Sequence, residues 1–91
     1  MARYPCKQAE LNTKFADDGW SERLRSCSSV QIEDQEWAPV PGRTTIRKRG
    51  TKFRNQDGVT VAVVMEYQLE DGRIVVAVRM LRDGDDLYYV Q

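Results

Sequence analysis

The spacing of apolar and polar residues changes period near the middle of this 91-residue chain. From Lys7 to Ala16, the run KQAELNTKFA consists mostly of good helix formers, Pro5 suits a first turn, and Leu11 and Phe15 fall four apart on one face. This predicts a short amphipathic helix. Gly19 in ADDGW reads as its stop, and Ser21 is placed to cap a second short helix, SERLRSC, with Glu22 in its first turn. SSVQIEDQEWAPVPG, residues 28–42, holds a brief strand signal at Val30 and Ile32, then two prolines and a glycine, and reads as the main connection.

From Thr44 onward the period is two. Asp57-Gly58, Asp71-Gly72 and Asp83-Gly84 separate runs rich in Val, Ile, Tyr and Thr, which implies four antiparallel strands in a meander. A two-residue turn at Asp71-Gly72 sets Leu69 opposite Ile74, Tyr67 opposite Val76, Met65 opposite Val78 and Val63 opposite Met80, all apolar. The other face then carries Glu66, Gln68 and Arg79, turned to solvent or a partner, because a one-residue slip would scramble the segregation. The earlier hairpin favours three loop residues, Gln56-Asp57-Gly58, since that register buries Phe53 and Thr51 where two residues would bury Lys52 and Arg54. The expected fold class is α+β, with one or two N-terminal helices packed on one face of a four-stranded antiparallel β-meander. The expected organisation is a single small domain, with a helical part over about 5–28, a connection over 29–42 and a sheet over 43–91. Leu11, Phe15, Trp20 and Leu24 belong to the face that meets the sheet, with Trp37 a further candidate for it.

In outline, a helix followed by VAVVMEYQLEDGRIVVAVRML and LYYV is similar to the cystatin-like and NTF2-like cone folds, which wrap a sheet around a helix and often hold ligands. The resemblance implies an architecture and a small apolar ligand held between helix and sheet, for which Trp20, Met65, Tyr67 and Met80 are the candidate lining. The resemblance itself assigns no residue a role; the four lining residues follow from their place between helix and sheet in the expected fold.

Composition narrows the chemistry. The sequence contains no histidine, which removes the commonest general base, the usual activator of Ser and Cys nucleophiles, and the commonest metal ligand. The expectation is a non-enzymatic protein with no catalytic residues, no cofactor and no metal. Cys6 and Cys27 lack Cys or His companions for a zinc site, and two reduced thiols are expected in their place. DGDD at 83–86 and ADDG at 16–19 lack the calcium-loop spacing and read as turns and caps. Glu66 and Glu70, on one strand, stand about 13 Å apart, too far to work as a pair. No phosphate-binding glycine pattern occurs. The amino-terminal residues carry no apolar run of signal-peptide type, and VTVAVVM is too short to span a bilayer, so a soluble, cytoplasmic protein without membrane partners is expected.

Fourteen basic and fourteen acidic residues cancel, but the charges are segregated. Arg43, Arg47, Lys48, Arg49, Lys52 and Arg54 are met without an acidic residue between Trp37 and Gln56, whereas EDQE at 33–36 lies just before them. A basic strand beside Phe53 fits phosphate tracking and makes nucleic acid one partner class. The same residues fit a sheet edge protected by charge, or an edge that takes up a strand from another protein or from a second copy in a homodimer. The primary expectation is a small protein-binding or regulatory module, with nucleic acid on the basic strand and a small apolar ligand as the alternatives.

Overall fold

The computed structural model describes residues 2–38 and 40–91. The chain runs β1 (Arg3–Cys6), α1 (Gln8–Asp17), α2 (Trp20–Arg23), a 3-10 turn (Leu24–Ser26), β2 (Ser28–Glu36), β3 (Thr45–Arg54), β4 (Thr60–Leu69), β5 (Ile74–Asp83) and β6 (Asp86–Val90). All six strands join one sheet in the order β1-β6-β5-β4-β3-β2. The α+β character holds, but the four-stranded antiparallel meander does not: the sheet is six-stranded and mixed, because β1 pairs in parallel with β6. Two edge strands account for the difference. β1 is only four residues long and contains Pro5, which suits an edge. In β2 every residue but Glu33 is exposed, and even Val30 and Ile32 are only about half covered, so its side chains lack the clean alternation that marks a strand with one buried face.

The first helix forms where the periodicity predicts, but Pro5 lies in β1 rather than in its first turn, and the second helix starts at Trp20 directly after Gly19, so Ser21 lies inside it and does not cap it. The Lys7 backbone N–H donates to Glu10 Oε1 at 3.3 Å, tying the first turn of α1, and Gly19 at φ 67° ends the segment in the left-handed conformation. Leu11, Trp20 and Leu24 pack on Ala62, Val78 and Leu81, with Phe15 and Phe53 at the margin. This cluster is the core of the helix-covered face.

Register decides which strand residues join it. The loop at Gln56-Asp57-Gly58 has three residues, with the Asn55 N–H donating to the Val59 carbonyl and Gly58 at φ 79°. A bulge one step further sets Phe53 opposite Ala62 and Thr51 opposite Val64. The Asp71-Gly72 turn also has three loop residues: the Leu69 N–H donates to the Arg73 carbonyl at 2.8 Å, and Asp71 Oδ1 accepts the Arg73 backbone N–H at 2.9 Å. That extra residue moves β5 by one position, so Tyr67 faces Val75 and Met65 faces Ala77, while Val76 and Val78 join Glu66 and Val64 on the helix-covered face. A second bulge leaves Arg79 extra, which turns Leu81 inward three residues after Val78. Two-residue arithmetic fails here because Asp-Gly suits both loops and only burial under the helices chooses between them.

Candidate functional site

The six basic residues singled out in the sequence are placed inside the sheet or bound to its neighbours. β3 lies between β2 and β4, so it is not an edge. Arg47 makes a bidentate contact with Asp34 (Nε 3.1 Å, Nη2 3.0 Å) and reaches Glu36 at 3.2 Å; Lys48 reaches Glu33 at 3.4 Å; and Arg49 lies 4.0 Å from Glu66. Arg43 sits with its guanidinium 5.5 Å from the centre of the Trp37 ring, and Lys52 and Arg54 stand opposite Val63 and Thr60. The hydrogen bonds from Arg47 hold the Asp34 carboxyl below its ordinary pKa, and Asp34 holds the Arg47 guanidinium above its own. The acidic run at 33–36 and the basic run at 47–49 are therefore adjacent strands that largely neutralise one another.

The candidate pocket residues are divided by the sheet. Trp20 is buried on the helix-covered face under the Arg23 guanidinium, 3.8 Å from its ring centre. Met65, Tyr67 and Met80 lie on the opposite face, where Met65 packs beside Gly50 and Ile32, Tyr67 beneath Lys48, and Met80 across from Val63. Those three share a face but are strung along it, since Met80 stands opposite Val63, four residues and about 13 Å along β4 from Tyr67, and Trp20 lies on the other side, so the structure does not gather the four into one pocket.

A different surface stands out on β5. Along β5, β6 pairs only with Met80–Asp83, so the first half of β5 has β4 on one side and, among the described residues, no strand on the other. Helix α1 closes part of this gap with side chains: Gln8 Nε2 donates to the Val78 carbonyl at 2.7 Å, Asn12 Nδ2 donates to the Val76 carbonyl at 3.0 Å, and Asn12 Oδ1 accepts the Val78 N–H at 2.9 Å. Because backbone groups alternate sides along a strand, the outward aim of Val76 and Val78 means that the N–H and C=O of Ile74 also point to the open edge. Ile74, Val75 and Val76 are 53%, 48% and 41% exposed, three consecutive large apolar residues where one face at least would ordinarily be covered.

Val76 also belongs to a groove of about 410 Å³ between the helical segment and the sheet, whose apolar wall includes Phe15, Leu24, Phe53 and Val64, with Glu66 at its rim. The open edge and the groove are thus one continuous surface. No family model, curated protein or solved structure matches this chain. The site therefore has to be read from its own geometry. Phe15, Phe53 and Val76 carry a sequence signal, since each fits a core position; what the sequence could not reveal is that β6 pairs with only part of β5 and leaves them at a surface. Among the described residues, no three His, Cys, Asp or Glu side chains gather where they could share an ion, and no helix is long and apolar enough to cross a membrane.

Proposed function

We propose that this protein is a non-enzymatic protein-binding module that takes up an extended apolar segment of a partner alongside Ile74–Val76. The observation that carries this reading is the edge of β5 facing away from β4 at Ile74–Val76, beyond the stretch that β6 pairs and α1 caps, beside three exposed apolar side chains. Main-chain hydrogen bonds to the Ile74 edge supply affinity, and alternate side chains of the added strand supply selectivity by entering the groove past Val76. The absence of histidine supports the non-enzymatic part of the proposal. The nucleic-acid alternative has less behind it, because Arg47, Lys48 and Arg49 already face carboxylates.

A displayed library of extended nonapeptides tests the proposal. Selected peptides should alternate apolar residues, perturb the backbone amide resonances of Ile74–Val76, and lose affinity at least tenfold in Val75→Lys and Val76→Lys. Binders that map elsewhere, or a library that yields none, would overturn it.

A further inference from the structure

The long free edge is β2, and its sequence is arranged to meet a copy of itself. We infer that two chains pair β2 to β2 in antiparallel fashion about a twofold axis at Gln31, continuing one sheet through the dimer. Among the described residues β2 pairs with no strand but β3, so its nine residues present a free edge there, and its two large apolar residues, Val30 and Ile32, are 45% and 49% exposed. Both sit on the face away from the helices: Val30 stands opposite Lys52, and Ile32 lies against Gly50, next to Met65. All charge on the strand is negative and confined to one end, at Glu33, Asp34 and Glu36.

These facts select one register. Ile32 is the extra residue of a bulge, since Gln31 pairs with Thr51 and Glu33 with Gly50. With the axis at Gln31, the bulged pair Ile32 and Glu33 faces the second copy's Val30, Asp34 faces the second copy's Ser29, and Gln35 faces the second copy's Ser28. Every facing pair then shares a face of the sheet, because Ser29 and Asp34 stand beside Phe53 and Arg49 on one side, and Ser28 and Gln35 beside Arg54 and Lys48 on the other. Val30 and Ile32 of both chains meet as a four-residue apolar cluster, and Asp34 meets the second copy's Ser29 hydroxyl, which can donate to it. Moving the axis to Glu33 or Asp34 would set like charges directly opposite one another, which is destabilising. A twofold contact of this kind closes, so it ends at a dimer and removes the exposed edge that would otherwise recruit strands indiscriminately.

Sedimentation equilibrium should give twice the 10.5 kDa chain mass, and Ile32→Lys should return the mass to that of one chain while the protein stays folded by circular dichroism. Cross-linking tests the register itself, since facing residues of antiparallel strands lie within disulfide reach. In a Cys6→Ser, Cys27→Ser background, Gln31→Cys alone should oxidise to a covalent dimer, Ser29→Cys should link to Asp34→Cys in a mixed sample, and neither of those two should link to itself. A single-chain mass at millimolar concentration overturns the inference. So does a dimer that survives Ile32→Lys or cross-links through position 29 or 34 alone. A monomer leaves the peptide site on β5 untouched, because the two surfaces share no residue.

Discussion

At the scale of single residues, two glycines are constrained for different reasons. Gly72 has φ 89° with open space around it, so its constraint is backbone conformation alone. Gly72→Val should cost on the order of 1 to 3 kcal/mol, read by chemical denaturation, and a variant of unchanged stability would show that the left-handed turn does not form. Gly50 is constrained by space: a Cβ there would lie 2.8 Å from Met65 Sδ and 3.1 Å from Ile32 Cγ1. Gly50→Val should destabilise by about 1 to 3 kcal/mol through overpacking, and adding Met65→Ala should recover part of that loss, which a double-mutant cycle measures as coupling. The Asp-Gly pair announces a turn at 71–72 in the sequence, whereas nothing adjacent to Gly50 announces its neighbours, since Met65 and Ile32 come from strands on either side.

At the scale of elements, α1 serves β5 as a substitute strand. Asn12 satisfies both the Val76 carbonyl and the Val78 N–H. Asn12→Ala should therefore cost about 1 to 3 kcal/mol and speed hydrogen exchange at Val78 more than at residues elsewhere in β5, and unaltered exchange there would separate α1 from the edge. The β2–β3 pair makes a pH prediction. Asp34 titrates below its ordinary 3.8 because Arg47 hydrogen-bonds to it, and Asp71 does so because it accepts the Arg73 backbone N–H. A depressed carboxylate pKa adds stability that is present above the unfolded value and lost as pH falls through the folded one. The melting temperature should stay level from neutral pH to about 5 and fall below about 4. Asp34→Asn should flatten part of that fall, and an identical acid profile in the variant would mean that the Arg47 contact does not persist in solution. The acidic and basic runs are both plain in the sequence, but their adjacency depends on β2 being a strand, which its exposed residues do not signal.

At the scale of the whole molecule, segregated charge along the chain becomes neutral charge in space. A gel-shift titration at 50 mM salt should show no complex with a generic oligonucleotide at micromolar protein, because Arg47, Lys48 and Arg49, half of the six candidate cations, already face carboxylates. A band that weakens by decades toward 200 mM salt would refute this and restore the basic strand as a binding surface. The protein-binding proposal belongs to the same scale, since it depends on where β6 stops along β5 and on how much of that edge α1 covers.

The sequence by itself determined the local elements: the helix at Leu11 and Phe15, the break at Gly19, the three-residue loop ending at Gly58, and the period-two strands from Thr44 onward. Each follows from backbone preference and side-chain spacing within a few residues. Tertiary structure alone decided that β1 and β2 complete the sheet, that β5 shifts by one against β4, and that Trp20 and Met65 lie on opposite faces. The physical reason is common to all three. An edge strand needs no apolar face, an Asp-Gly turn permits more than one loop length, and a strand rich in valine on both sides is indifferent to register until a helix covers one of them.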